Sequence, residues 1–316
     1  MGRKILVTGG AGFVGSYLSK ELIKQGWQVT VVDDLSNGKI KNLTQDMEFI
    51  RVDIGSDEFV KKLANHSFDI VVHCAAQASN AISFKDPRRD FLSNQVGSLN
   101  VFELCRAKKV RHCILVSTMS VYGQPNQLPT KEITACYPRA YYAVHKLAAE
   151  HYLRIFSEQF GLNYTTFRLY TTYGHGQNLE NRDQGLLSIY LSYLINGEEL
   201  IVKGSKDRTR DIVHVSDVVA AMMKSIDNPK AFGKTYNLGT GKSLKIEKII
   251  ELLINGLGLK MDKYPISYQD KTPGDPFDTL ADIEAAKNDL NWKPKISPEE
   301  GIRLTVEFFK GGQRKR

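Results

Sequence analysis

The chain has 316 residues and a formal net charge of +8, with 42% hydrophobic and 25% charged residues; this is the composition of an ordinary soluble globular protein with a sizeable core. Its longest apolar stretches fall far short of the roughly 20 residues that cross a bilayer. No apolar stretch of signal-peptide length precedes the first strand pattern, so no membrane partner and a cytoplasmic location are expected. Lysine and arginine are spread evenly, without aromatic-interleaved basic runs, which argues against nucleic acid and leaves an anionic small molecule to match the excess charge.

Residues 4–8 read as a buried strand and 12–25 as a helix, followed by strands at 28–32, 48–52 and 69–73. A long helix over 91–108 leads to a fifth strand at 112–117, a helix over 139–160 and a sixth strand at 163–168. Continuous apolar strands alternating with helices predict a parallel sheet covered on both faces. Right-handed crossovers then make the fold α/β and doubly wound. Beyond residue 168 the pattern changes. Glycine and polar residues dominate 171–184, then come a helix over 185–195, a short strand at 200–202 and a closing helix near 298–309. The expected division is a first domain over 1–169 with a returning segment at about 211–240, and a smaller lobe from 170–210 and 241–316, with a cleft between them. Cys74, Cys105, Cys113 and Cys136 form no CxxC pair and have no histidine at metal spacing, so reduced thiols and no metal are expected.

The stretch VTGGAGFVGS joins the first strand to the first helix. Gly9 suits a tight turn, Gly12 lets a pyrophosphate lie against bare backbone, and Gly15 lets the helix pack close to the strand. The helix amino terminus then offers amide hydrogens to phosphate. Asp33 closes the next strand, where a carboxylate binds both hydroxyls of an adenosine ribose; no arginine adjoins it to welcome a 2′-phosphate, so NAD is expected rather than NADP. This is the Rossmann arrangement. A second signal is YYAVHK, which sets Tyr142 and Lys146 four apart on one helical face. A tyrosine with its usual pKa of about 10 is a poor base at neutral pH; the Lys146 ammonium and a nicotinamide cation are expected to bring it down. Upstream, STMSVYG places the Thr118 hydroxyl at a strand carboxyl end, where sheets of this type bind ligands.

With these stretches go VVDDLSNG, VDI (52–54), HCAAQAS (73–79), RTRDIVHVSDV (208–218), YNLGTG (236–241), PGDP and ADI (281–283). Together they identify the chain as resembling the extended short-chain dehydrogenase/reductases of the NAD-dependent epimerase/dehydratase family over essentially its whole length, among them the UDP-glucose and UDP-N-acetylglucosamine 4-epimerases. The resemblance implies cofactor contacts at Gly9, Gly12, Phe13, Val14, Gly15, Asp33, Asp34 and Asn37. It implies adenine contacts at Asp53 and Ile54, a loop of Ala75, Ala76 and Gln77 under the pyrophosphate and nicotinamide ribose, and a nearby Asn94. Tyr142 would be the base, Lys146 would bind the ribose and tune Tyr142, and Thr118 would assist. Ser79, Thr118, Ser120, Tyr142, Thr171, Arg210, Lys271 and Thr279 would face the sugar nucleotide. Arg210 would contact its diphosphate unless it pairs instead with Asp211 or Asp217. Thr279, small and two residues before the Ala281–Asp282 pair, would leave room for N-acetyl sugars. A homodimer packed through the helices at 91–108 and 139–160 is the family default.

Within the family, dehydratases carry an Asp-Glu pair after the catalytic threonine, and decarboxylases tend to place a Glu at the second position. Here those positions hold Met119 and Ser120. The reaction expected is therefore 4-epimerisation of a nucleotide sugar, UDP-hexoses first, with NAD regenerated each cycle. Two departures, Thr171 for the usual asparagine and Thr272 (beside Lys271) for an arginine, leave the base open. RDQG (182–185) resembles CDP-sugar 2-epimerases, the alternative kept beside a 4,6-dehydratase, a 4-reductase and a non-catalytic NAD sensor.

Overall fold

The computed structural model describes residues 2–313. The strands are β1 (Lys4–Thr8), β2 (Gln28–Asp33), β3 (Glu48–Arg51), β4 (Ile70–His73), β5 (His112–Thr118), β6 (Asn163–Leu169), β7 (Thr171–Tyr173), β8 (Leu200–Lys203), β9 (Thr209–His214), β10 (Lys234–Leu238), β11 (Ser243–Lys245) and β12 (Ile266–Gln269). The helices are α1 (Phe13–Lys24), α2 (Glu58–Lys62), α3 (Asn80–Lys85), α4 (Pro87–Phe91), α5 (Gly97–Ala107), α6 (Tyr141–Phe160), α7 (Leu186–Ile195), α8 (Val215–Ser225), α9 (Ile246–Gly256), α10 (Glu284–Leu290) and α11 (Pro298–Gln313).

Seven strands form one sheet in the order β10-β6-β5-β4-β1-β2-β3, with every neighbouring pair parallel. Side chains alternate across β1 and sort into two cores. Ile5 and Val7 pack with Leu18 and Leu22 of α1 and Val218 and Met222 of α8. Leu6 packs on the other face with Val101 and Phe102 of α5 and Leu153 and Phe156 of α6. Both faces are dry, as a parallel sheet requires. The strand order reverses direction between β1 and β4, the point at which such sheets open a crevice beyond their carboxyl ends. A third core gathers α7, α9 and α11 around Tyr173, Ile212 and Leu200, beneath the small sheet β11-β9-β7 and the pair β12-β8. Among the described residues no helix is long and apolar enough to cross a membrane.

The second half holds elements that were not expected, among them β9, α8 and α9, and two further departures stand in the seven-stranded layer. The helix expected at 91–108 begins at Pro87, whose missing N–H is no loss in a first turn, and a π-helical turn at Leu92–Val96 interrupts it before α5. The sheet also has a seventh strand, β10, which carries the buried polar residue Asn237 and pairs with β6 at the sheet edge.

Behind the end of β5 lies a buried ion pair. Arg168 of β6 meets the Glu150 carboxylate of α6 through Nη2 (2.6 Å) and Nε (3.1 Å), and the Ser117 hydroxyl donates to the same carboxylate. Removing one member of such a pair strands a charge, whereas replacing both with apolar groups does not. Arg168→Met is expected to lose about 3–5 kcal/mol in urea unfolding. The Glu150→Leu/Arg168→Met double variant is expected to regain most of it; equal loss in the two would contradict this account.

Candidate active site

The floor of the site is set by how closely three backbone segments approach. Gly9 adopts a left-handed φ of +68°, and a Cβ there would stand 2.6 Å from Ala75 N. A Cβ at Gly15 would lie 2.3 Å from Gly9 O, so only glycine lets α1 start this close to β1. At Gly12 the nearest atom to such a Cβ is Gly9 O at 3.1 Å, and the backbone is bare toward the crevice. Asp33, at the end of β2, accepts from Ala11 N–H (3.0 Å) and Leu35 N–H (2.8 Å). These bonds fix the carboxylate; burial raises its pKa, and the two amides oppose that rise.

These residues line a cavity of about 480 Å³, within the range of ligand pockets. Phe13, Val14, Asp34, Asn37, Asp53, Ile54, Ala75, Ala76, Gln77 and Lys146 line it as expected. The glycine cradle, the bare backbone at Gly12 and the carboxylate of Asp33 fit a dinucleotide of the NAD type. A second cavity of about 320 Å³ adjoins it and takes in Ser79, Ser120 and Arg210. Thr118, Tyr142 and Thr171 border both cavities, so the expected base stands at their junction.

Tyr142 comes from the first turn of α6, while Thr118 ends β5 and accepts from Ser120 N–H (3.2 Å). Burial pushes the Tyr142 phenol up to about 12; a hydrogen bond from Thr118 works against this, and the Asp90 charge adds to it. Lys146 is 1% exposed, and burial brings its pKa down to about 8. The protein's own groups therefore do not lower the tyrosine as expected from its spacing to lysine. Desolvation outweighs them.

Three expected contacts lie outside both cavities. Asn94 lines neither cavity: it is buried in the π-helical turn, where its amide grips both backbone groups of Gln77 (3.0 and 2.8 Å). Lys271 is exposed and outside both cavities, while its neighbour Thr272 lines the second. Thr279 is 2% exposed and lines neither cavity, and its Oγ1 accepts from Asp211 N–H (3.0 Å). Arg210 does face the second cavity, but it pairs with Asp275 (2.7 Å) rather than with Asp211 or Asp217. Those two carboxylates instead accept backbone N–H groups of Thr240, Gly241 and Ala281, and of Lys295 and Ile296.

Sequence reasoning missed Lys203, Arg208 and Tyr190, all on the second cavity. It also missed an amide cluster over the first, in which Asn37 Oδ1 accepts from Asn178 (3.2 Å) and Asn181 (3.0 Å) and Asn37 Nδ2 donates to Gln184 (3.0 Å). The run GQNLENRDQG, rich in amides between glycines, was the available signal.

A glycine cradle for a dinucleotide that opens onto a cation-lined cavity, with a tyrosine at the junction, defines a dinucleotide-dependent enzyme. The chain belongs to the NAD-dependent epimerase/dehydratase family, whose pattern matches residues 5–239. It is 32% identical over 313 residues to a UDP-glucose 4-epimerase of Mycolicibacterium smegmatis, covering 97% of this chain and 98% of the relative. Among solved structures, it resembles a UDP-glucose 4-epimerase of Thermotoga maritima with UDP-glucose (TM-score 0.93, 36% identity, 98% and 99% coverage). It also resembles a UDP-glucose 4-epimerase of Thermus thermophilus complexed with NAD (TM-score 0.90, 31% identity, 98% and 99% coverage). The cofactor is NAD.

Asp33→Ala is expected to weaken NAD binding by roughly 10- to 100-fold, the worth of one or two hydrogen bonds to a charged group. The preference for NAD over NADP should collapse with it, as measured by titration calorimetry. An unchanged NAD/NADP ratio would place the ribose elsewhere.

Proposed function

We propose that the protein is a nucleotide-sugar 4-epimerase that acts on UDP-hexoses, UDP-glucose and UDP-galactose first, with NAD resident and regenerated in each turnover. One observation carries the choice of reaction: among the described residues, no carboxylate stands in the turn after Thr118, beside the expected base. Met119 and Ser120 occupy the turn after Thr118. Asp183 and Asp275 are the carboxylates in the lining: the buried Arg208 and Arg210 hold Asp275, and Asp183 lies on the half-exposed rim, 3.5 Å from Lys85. Dehydration of a 4-keto sugar needs such a group to take a proton from C5 and give one to the leaving hydroxyl; return of hydride does not.

Tyr142 Oη takes the proton of the sugar 4-hydroxyl as the C4 hydride leaves, and gives it back after the keto sugar has turned over. NAD, when bound, supplies the reversible hydride acceptor and a cationic ring that draws the phenol toward phenolate. Thr118 orients the 4-oxygen and the phenol, and the Lys146 ammonium binds the nicotinamide ribose and favours phenolate. Arg182, Lys203, Arg208 and Arg210 border the second cavity against the two carboxylates, a positive balance suited to a diphosphate. We assign 1–169 and about 211–240 to the cofactor domain, and 170–210 with 241–316 to the sugar-nucleotide lobe.

The homodimer belongs to the same reading. Phe91, Leu92 and Leu99, with Tyr141, Val144 and Ile155 on one stripe of α6, are exposed apolar residues on neighbouring helices, a surface suited to a second copy. The cysteines are unpaired among the described residues, in keeping with a reducing cytoplasm.

The test is incubation with UDP-, CDP-, GDP- and TDP-sugars without added cofactor, followed by NMR. Interconversion of UDP-sugar C4 epimers is expected. Inversion at C2 of a CDP-sugar would favour the second reading, which the Asp183–Gln184–Gly185 lining of the cavity supports. Tyr142→Phe is expected to retain NAD and lose kcat by about 10²- to 10⁴-fold; near-full activity would overturn the mechanism.

A further inference from the structure

The expected base sits on a helix end that is poorly held by its own sequence. Helix α6 starts at Tyr141 with Ala140 as its cap residue, no side-chain cap and no acidic residue in the first turn. Helix ends without caps fray, yet Tyr142 lies in this turn. The loop 74–79 that faces it across the cofactor cavity has no regular structure either.

Asp90 of α4 joins the two. Its side chain is fully buried. Oδ1 accepts from Gln77 Nε2 (2.5 Å) and Asn94 Nδ2 (3.0 Å), and Oδ2 meets His145 Nδ1 at 2.5 Å. The amide groups of Gln77 and Asn94 both donate to Oδ1, and the His145 ring nitrogen shares a proton with Oδ2. Asn94 in turn holds both backbone groups of Gln77. Above it, Ser98 donates to Asn94 O and accepts from His73 Nε2, and Thr8 donates to His73 Nδ1 while accepting from Ala75 N–H (3.3 Å). Every donor in this relay has an acceptor, and it runs from the β1 end to α6 just past its first turn.

We propose that Asp90 and His145 are the positioning residues of this active site: the buried carboxylate ties the cofactor-side loop, through Gln77, to α6 just past its first turn, through His145, and so sets where the Tyr142 hydroxyl stands relative to the cofactor. The reaction involved is the epimerisation proposed above, on which the kinetic arm of this inference rests. Asp90 also faces Tyr142 and Lys146 as a charge. The other polar group acting on the phenol is Thr118; the imidazole meets Asp90 on α4 and packs against the apolar Phe91 ring. With the imidazole gone, the carboxylate loses its hydrogen-bond partner on Oδ2 and is held less firmly in its place beside the phenol.

The experiment uses NAD-bound protein and compares His145→Ala, His145→Asn and Asp90→Asn with the parent. Asparagine keeps an N–H near the position of Nδ1 without an ionisable ring. His145→Ala is expected to lose kcat by roughly 10- to 100-fold, the cost of a displacement on the order of 1 Å at a reacting group. KM should stay within about threefold and bound NAD should be retained, because this pair touches neither ligand. Asp90→Asn, which presents a donor to other donors, should lose at least as much, and His145→Asn should restore kcat to within about fivefold of the parent. The second readout needs no turnover. The Tyr142 phenol, followed by ultraviolet difference against the matching Tyr142→Phe protein, should titrate at higher pH in His145→Ala and return toward the parent in His145→Asn. Unchanged kcat and phenol titration in His145→Ala would overturn the proposal. So would losses of equal size in all three variants that simply track a fall in Tm. Failure of the parent to epimerise any sugar nucleotide, with the phenol shift intact, would refute the reaction and leave the positioning role standing.

Discussion

At Gly15 a carbonyl oxygen stands where any other residue would put its Cβ, and at Gly9 a backbone nitrogen does. These two approaches, each under 3 Å, let β1 end, turn and start α1 without lifting the helix off the sheet. They bring the turn after β1 against the loop after β4, the two strands between which the sheet order reverses. The crevice exists because of that contact, and the rest of the site hangs from it. Asp33 is aimed by the amide of Ala11 in the same turn. Ala75, against which Gly9 packs, begins the loop whose Gln77 reaches Asp90. A larger side chain at either glycine would separate the sheet from the helix and the cofactor floor from the catalytic helix at once.

Burial governs the chemistry above that floor. The tyrosine stands near 12 and the lysine near 8 because both are taken out of water, and neither value suits the task by itself. The protein has thus placed a reluctant base beside a cation that is easily discharged. The scaffold contributes geometry and exclusion of solvent, and the bound dinucleotide contributes the missing positive charge. Such a site acts poorly on anything that arrives before the cofactor.

Much of this was legible in the chain. Strands β1, β4 and β5 read correctly because strands buried on both faces are continuous apolar runs, as in KILVT and IVVH. The glycine cradle and the Tyr142–Lys146 face were legible because local spacing alone sets them. β10 was not, since KTYNL carries buried Asn237, which is satisfied by Tyr122 and Thr130 from more than a hundred residues away. Motif spacing singled out Thr279 but could not show that its hydroxyl accepts from the Asp211 backbone. The Asp90–His145 contact spans 55 positions and leaves no periodic trace. Contacts made by the fold, rather than by neighbouring residues, are the part that sequence patterns do not carry.

The central claim is that hydride leaves and returns at a single carbon, with no acid–base chemistry at its neighbours. Turnover of UDP-glucose in heavy water, followed by proton and deuterium NMR of the product, tests this most directly. The account predicts UDP-galactose with hydrogen retained at C4 and no deuterium bound to any ring carbon. Deuterium at C3 or C5, or a product that has lost water or carbon dioxide, would contradict it.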